Sequence, residues 1–347
     1  MMGTKFRLVV LMGGKSAEHE VSMISGTEVV KNLDTKKYDI LPVVISKDGL
    51  HWKLTTKESL LSMANPMILR GTKKEIILSQ EKQLEGVSAL TGKIDLVFIA
   101  MHGPYGEDGV VQGILTAAGV NFTGSGVLAS AIGMDKAMFR QVMKANKLPV
   151  PNSVVITKAS PQSLISKSLG KPPYFVKPVD QGSSVGSSLV KTKKDLAPAL
   201  KLAFKYSDNV LVDEYVSGLE ITCGVIGNTE PVALPITEIH PLKNNFFDYD
   251  SKYTESGATE ITPARINSKI TKQVQALAIE VYKTIGCRDF ARVDFILRDN
   301  KTPIILEINT IPGLTPASLL PKSAKVAGLE YSDLLDRIIN NANEHKK

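Results

Sequence analysis

Two apolar segments near the C-terminus, Ala291-Arg292-Val293-Asp294-Phe295-Ile296-Leu297 and Ile304-Ile305-Leu306-Glu307-Ile308-Asn309, carry charged and amide side chains inside β-rich runs. Side chains alternate faces along a strand, so Arg292 shares a face with Asp294, and Glu307 with Asn309. The linker Arg298-Asp299-Asn300-Lys301-Thr302-Pro303 is polar and turn-rich, which predicts a hairpin. With its tip at Asn300-Lys301, Asp294 falls opposite Glu307 and Arg292 opposite Asn309. Two facing carboxylates are costly unless a cation lies between them. Two readings stay open: a surface salt-bridge cluster around Arg292, or a divalent-cation site. The donors are oxygens, without His or Cys, so such a cation would be magnesium or manganese and not zinc.

At 347 residues the chain should split into two or three domains, each burying its own core. The net charge of +7 comes from Lys and Arg spread along the chain, with no long basic run and no aromatic-basic platform. It therefore argues against nucleic acid and suits a small anionic substrate. Cys223 and Cys287 lie far apart without metal-ligand spacing, so a reducing compartment is expected. Leu8-Val9-Val10-Leu11-Met12 is too short for a signal sequence and ends in Gly13-Gly14. It reads as a first strand, and no membrane segment follows. A cytoplasmic protein is expected.

The first third alternates strand-like and helix-like stretches: Leu8 to Met12, Val21 to Asn32, Ile40 to Ile45, Ile94 to Ala100 and Asp108 to Ala118. That order predicts an α/β layer with a parallel sheet. Leu50 to Gly92 is less regular and reads as an excursion with short strands such as Glu75 to Leu78. Val127 to Lys147 predicts two helices parted by Asp135-Lys136, and Pro149-Val150-Pro151 an extended connection. Ser153 to Ile156, Tyr174 to Lys177, Ser188 to Val190 and Val210 to Glu214 read as a small sheet with intervening helices. Strands at Leu219 to Ile226 and Val232 to Ile239 follow, then a polar loop and a helix over Ser268 to Ile285. The hairpin and a helix over Tyr331 to Asn341 close the chain.

The densest chemical signal is Lys177-Pro178-Val179-Asp180-Gln181-Gly182-Ser183-Ser184-Val185-Gly186-Ser187-Ser188, directly after a strand. Small residues let backbone N–H groups converge on an anion, and the hydroxyls add donors. The loop does not match the Walker pattern. A flexible surface loop is the plain alternative, but Lys177 at the end of an apolar strand needs an anion. Downstream, Asp213-Glu214-Tyr215-Val216-Ser217-Gly218-Leu219-Glu220 forms a polar connector between strands. Its backbone could meet a purine, and Glu220 could hold ribose hydroxyls.

Phosphate loop, acidic connector, Arg-x-Asp and Glu-x-Asn follow one another in the order of the ATP-grasp ligases. Over nearly its whole length the chain is similar to the D-alanine:D-alanine ligase family. Gly13-Gly14-Lys15-Ser16-Ala17-Glu18-His19-Glu20-Val21-Ser22 resembles that family's first motif, and His102-Gly103-Pro104-Tyr105-Gly106-Glu107-Asp108-Gly109 its second. Gly124-Ser125-Gly126 with Asp135-Lys136, and Asn309-Thr310-Ile311-Pro312-Gly313-Leu314-Thr315 with Ser318-Leu319, complete the set. The resemblance implies an α/β ATP-grasp protein in three parts. These are an N-terminal doubly wound parallel-sheet domain over 1–126, a small central α+β domain over 127–216 and a larger C-terminal α+β domain over 217–347.

The resemblance further implies ATP-dependent ligation of two D-alanines through a D-alanyl phosphate, in peptidoglycan precursor synthesis. Lys136, Lys177 and Lys252 match family lysines on nucleotide phosphates, with Ser184 over them. Asp213, Glu214, Val216 and Glu220 match the base and ribose contacts. Asp294, Glu307 and Asn309 match ligands of two Mg2+ (or Mn2+) ions, and Arg292 matches the residue that stabilises the tetrahedral oxyanion. Glu18, with His102 near it, matches the group that receives the first D-alanine's ammonium. Ser183 and Tyr253 match its links to a lid from about Lys243 to Glu260. Gly313, Ser318 and Leu319 match contacts to the second substrate. A homodimer is expected, with no nucleic-acid or membrane partner.

Two departures stand out. Many members carry Glu where this chain has Asp213, one methylene shorter and followed by Glu214, which leaves the adenine acceptor open. Pro316-Ala317 replaces a commonly polar pair before Ser318. Rivals within the family are D-alanine:D-lactate and D-alanine:D-serine ligation, against which the resemblance sets Tyr253 and Leu319. From another class, a nucleotide-binding regulator without turnover would not need the full set of Arg292, Asp294, Glu307 and Asn309.

Overall fold

The computed structural model describes residues 5–63, 82–83, 94–241 and 258–345. Three sheets carry the fold. The first has the order β4-β3-β2-β1-β5, from β1 (Phe6–Gly13), β2 (Tyr38–Ile45), β3 (Trp52–Leu54), β4 (Lys82–Gln83) and β5 (Leu96–Ile99). β1 pairs in parallel with both β2 and β5, as the alternating pattern predicts, while β3 and β4 add an antiparallel edge. β1 is buried from Leu8 onward, the near-continuous apolar run that a central parallel strand needs. Its helices are α1 (His19–Asn32), α2 (Lys57–Met63) and α3 (Val110–Ala117). The strand expected at Glu75 to Leu78 lies outside the described residues.

α4 (Val127–Met134) and α5 (Lys136–Ala145) follow, separated by Asp135 alone. The Asp135 side chain accepts from the Met138 N–H at 2.8 Å, the N-cap bond that starts α5. The second sheet is antiparallel, in the order β6-β9-β7-β8: β6 (Ser153–Thr157), β7 (Tyr174–Pro178), β8 (Ser188–Val190) and β9 (Asn209–Glu214). It packs with α6 (Ser163–Leu169) and α7 (Lys193–Ala203) around a core that includes Ile156, Ile165, Val176, Leu200 and Val212.

The third sheet is antiparallel, in the order β13-β12-β10-β14-β15, with β11 paired to β10. Its strands are β10 (Gly218–Ile226), β11 (Val232–Ala233), β12 (Thr237–Pro241), β13 (Ala258–Ile261), β14 (Phe290–Arg298) and β15 (Thr302–Asn309). The single strand expected over Val232 to Ile239 is two, because Pro235 breaks the ladder between β11 and β12. The expected lid also ends earlier than Glu260, since Ala258–Ile261 is β13 and pairs with β12. α8 (Ser268–Thr284) covers this sheet, and its buried Ile270, Val274, Ala278 and Val281 follow the helical period.

After β15 come α9 (Leu319–Val326) and α10 (Tyr331–Asn343). α9 was not expected: the segment entered only through the Ser318-Leu319 motif, and Pro321 lies in the helix's first turn, where proline is tolerated. Leu334, Leu335, Ile338 and Ile339 of α10 join the core under the first sheet, so the chain's last helix locks onto its first strands. Among the described residues, no helix is long and apolar enough to cross a membrane.

The hairpin β14–β15 shows how the site is aimed. Arg292 pairs with Asn309 and Asp294 with Glu307, the expected register. At the tip, however, Arg298 pairs with Thr302, one residue tighter than a tip at Asn300-Lys301 requires. The shift is taken up between Asp294 and Phe295, where Leu306 has no register partner. Asp299 and Asn300 both adopt positive φ, 53° and 55°, which Asp and Asn tolerate and a three-residue turn needs. The bulge at Leu306 then restores the pairing that sets the two carboxylates opposite each other.

Candidate active site

One cleft gathers most of the expected site residues. Lys136, Lys177, Ser183 and Ser184 come from the start of α5, the end of β7 and the loop after it. Asp213, Glu214, Val216 and Glu220 come from β9 and the connector into β10, and Arg292, Asp294 and Glu307 from the hairpin. Leu319, at the start of α9, also lines it. Apolar Phe175, Ile239, Ile296 and Leu306 leave a slot fit for a planar ring beside the charged groups. Lys252 and Tyr253 lie outside the described residues, as does most of the stretch from about Lys243 to Glu260 that was expected to form a lid.

On the hairpin face, Arg292 grips Asp294 bidentately, Nε to Oδ1 and Nη2 to Oδ2, both at 2.8 Å. Thr222 Oγ donates to Asp294 Oδ1 at 2.5 Å from the neighbouring strand, where it is Asp294's register partner. The Arg292–Asp294 pair is therefore buried, about 12 % exposed on each side, and not the surface cluster of the plain reading. Burial works against the Arg292 charge, yet Asp294, Glu307 and Glu107 outweigh it and push its pKa further up. A fixed, permanently charged guanidinium results. Lys136 Nζ lies 4.0 Å from Glu307 Oε2 and donates to the Gln181 carbonyl at 2.5 Å, tying α5 to both hairpin and loop. Asn309 accepts from the Ile311 N–H at 3.0 Å and keeps one lone pair of its amide oxygen.

The loop after β7 crosses to the first sheet. Ser183 and Ser184 both sit at positive φ, 49° and 58°, an uncommon state for serine that tends to mark binding loops. Ser183 Oγ donates to Glu18 Oε1. Gly182 and Gly103 (φ +74°) flank the same carboxylate so closely that a Cβ would lie 2.8 and 2.6 Å from Glu18 Oε2. Both glycines thus make room for Glu18, which is 6 % exposed.

His102 is buried behind Glu18 and does not line the described cleft. Its Nε2 is 2.8 Å from Ser25 Oγ, and its Nδ1 is 3.2 Å from the Ile311 carbonyl and 3.4 Å from Glu107 Oε1. Burial opposes its charge, but the bond and charge of Glu107, with Glu18 beyond, raise its pKa. Before α9, Thr315 N–H donates to Ser318 Oγ at 3.2 Å, and Ser318 is the N-cap residue of α9. A Cβ on Gly313 would meet Ser318 Oγ at 2.7 Å, so Gly313 lets this turn close.

The base wall differs from expectation. Asp213 faces Arg140 and Lys177, each 3.0 Å from its Oδ2, and Glu214 bonds Arg298 at 2.8 Å and Asn152 at 3.2 Å. Burial alone would raise the Asp213 carboxyl, but the two cations hold it below the usual range. Arg140, Glu107 and Thr222 were missed by sequence reasoning. Arg140 lies one helical turn after Lys136 and so shares its face, and Thr222 follows once β10 is registered on β14. Glu107 carried no signal beyond its motif.

Fold and site together define a three-sheet α/β protein whose cleft sets anion-binding cations over a carboxylate face. Family models described as the D-ala D-ala ligase N-terminus and C-terminus match residues 7–125 and 131–340. The D-alanine–D-alanine ligase of Pelotomaculum thermopropionicum is 38% identical over 344 residues, covering 97% of this chain and 96% of that one. The VanG D-Ala:D-Ser ligase of Enterococcus faecalis superposes with a TM-score of 0.82 at 34% identity, covering 98% of this chain and 100% of that one. The D-alanine–D-alanine ligase of Bacillus anthracis complexed with ATP superposes with a TM-score of 0.75 at 31% identity, covering 99% and 100%. The chain belongs to the D-alanine–D-alanine ligase family.

Proposed function

We propose that this protein joins two D-alanines to D-alanyl-D-alanine at the expense of ATP, releasing ADP and phosphate, for peptidoglycan precursor synthesis. The observation that carries the reading is Ser183. The loop that borders the lysine-lined cleft also bonds Glu18, so one segment connects nucleotide site and amino-acid site. The fold is read as ATP-grasp, divided at 126 and 216 into a parallel-sheet domain, a central domain and a C-terminal domain. A cytoplasmic homodimer completes the reading.

ATP lies with its base in the apolar slot and its phosphates toward Lys136, Lys177, Lys252 and Ser184. Glu220 takes the ribose, while Asp213, Glu214 and Val216 form the base wall. Asp294, Glu307 and Asn309 fit magnesium or manganese. They are two facing carboxylates and one amide oxygen, a hard-oxygen set that phosphate oxygens would complete. Among the described residues, no group of three His, Cys, Asp or Glu offers a competing site. Bound there, two such ions would neutralise charge on the phosphates during transfer.

The remaining work falls to the chain's own groups. Glu18 receives the ammonium of the first D-alanine, with His102 behind it, and Ser183 and Tyr253 hold Glu18 to the closing lid. The first carboxylate takes the γ-phosphoryl group. The amine of the second D-alanine, held through Gly313, Ser318 and Leu319, attacks the resulting acyl carbon, and phosphate leaves. Arg292 stabilises the oxyanion of that tetrahedral intermediate with a charge already in place. Closure excludes water from an acyl phosphate that would otherwise hydrolyse.

Similarity to a D-Ala:D-Ser ligase favours a second reading, D-serine or D-lactate at the second subsite. Leu319 in the cleft lining weighs against D-serine, since it offers a hydroxyl no partner. Phosphate release from ATP, measured with D-alanine, L-alanine, D-serine and D-lactate, tests both readings. Release with D-alanine alone, with D-alanyl-D-alanine as product, is expected. Predominant mixed product in the presence of D-serine or D-lactate would overturn the assignment, and release independent of any amino acid would end the ligase reading.

A further inference from the structure

Arg140 belongs to no part of the reaction described so far, yet its side chain is buried, 2 % exposed, at the back of the nucleotide cleft. Its Nη2 donates to Asp213 Oδ2 at 3.0 Å, and its Nη1 donates to the Leu306 carbonyl. Leu306 is the bulge residue of β15, so its carbonyl is available to a side chain. Asp213 Oδ2 is shared with Lys177 Nζ, also at 3.0 Å, and Asp213 Oδ1 has no partner among the described residues. Two buried cations therefore converge on one buried carboxylate.

The charge count matters more than either bond. A lysine paired one-to-one with an aspartate is neutral and offers a polyphosphate little. A lone buried lysine tends to lose its proton. A guanidinium keeps its charge under desolvation, and its fork lets it hold Asp213 and Leu306 together. We propose that Arg140 is a positioning residue: it takes up the Asp213 carboxylate so that the cluster keeps one net positive charge, through which Lys177 holds the phosphates of ATP. This rests on the ATP-site reading above.

The test compares Arg140→Met, Arg140→Lys, Asp213→Asn and the double variant Arg140→Met/Asp213→Asn. ATP affinity is read by calorimetry, the KM values for ATP and D-alanine in the phosphate-release assay, and folding by thermal melting. Arg140→Met should raise the Kd and KM for ATP about tenfold or more with the D-alanine KM unchanged, because the leftover Lys177–Asp213 pair is neutral. The double variant restores the single positive charge and should bind ATP at least about threefold more tightly than Arg140→Met. Arg140→Lys keeps the charge and should stay within about threefold, which keeps the test open if Arg140→Met fails to fold. A double variant no tighter than Arg140→Met, or an Arg140→Lys protein that loses ATP, overturns the proposal. Failure of the unmodified protein to bind ATP would remove the underlying site as well, and is distinguishable because that protein is measured first.

Discussion

The hairpin face and the pocket around Glu18 are both buried charge clusters, but they are built in opposite ways. Arg292, Asp294, Glu307 and Asn309 lie on two adjacent strands, and the ladder that pairs them also fixes their spacing. The Glu18 pocket is assembled across the chain. Ser25 meets His102 across 77 residues, Ser183 meets Glu18 across 165, and His102 meets Ile311 across 209. Strand geometry positions the first cluster as soon as β14 and β15 pair. The second exists only when the first sheet, the loop after β7 and the segment after β15 have docked. Substitutions on the hairpin should therefore change chemistry, whereas those in the pocket should change affinity and the response to pH.

The largest effect should come from Glu307→Gln. The fold stays intact, since a buried ion pair of Arg292 with Asp294 remains, but the carboxylate facing Asp294 is gone. Turnover is expected to fall about 10³-fold or more, with ATP affinity changed by about tenfold or less. Rate and ATP binding measured on the same preparation decide it. Near-normal turnover would make the hairpin a structural ion pair and erase the contrast between the regions. Next comes Arg292→Lys, which cannot grip Asp294 in two places at once. A loss of about 10²- to 10³-fold in kcat, with the KM for ATP little changed, is expected, and a pure KM effect would move Arg292 from chemistry to binding.

The same division explains what could be read from sequence. The hairpin face was legible because period-2 alternation and a polar turn are local. Even there the tip was misjudged by one residue, and the bulge at Leu306 corrected the register where it mattered. The parallel strands of the first sheet were legible for the same reason. Arg140 was not, because its reach to Asp213 spans 73 residues. The break at Pro235 was lost because a proline's effect on a strand depends on its position in the ladder. Glu18 and His102 came from resemblance alone, since nothing local to either motif says which distant residues will meet it.

In the assembled pocket, Glu18→Gln should weaken the first substrate more than it slows chemistry. The variant removes the charge opposite the substrate's ammonium but keeps an acceptor for Ser183. The KM for D-alanine at the first subsite should rise about ten- to hundredfold, with a smaller change in kcat. Initial-rate kinetics with varied D-alanine check this. A loss confined to kcat would place Glu18 with the hairpin.

The smallest effect, and the sharpest test of the pocket as an assembled unit, is the pH dependence carried by His102 and Glu107. His102 is raised above its ordinary value of 6.5 in the folded protein, burial being outweighed by Glu107 and Glu18. Between 6.5 and its folded value, the native state holds a proton that the unfolded state has released. The stability this contributes is therefore complete below pH 6.5 and lost as pH rises through the folded value. Burial raises Glu107 too, so its own proton linkage has the same sign. Denaturant unfolding at a series of pH values from about 6 to 8 should show stability falling by at most about 1.4 kcal/mol per pH unit from His102. In Glu107→Gln, His102 loses its main cationic support, and that slope should flatten. An unchanged slope would mean that His102 titrates independently of Glu107, and the pocket would then be a set of neighbours without the mutual dependence that separates it from the hairpin.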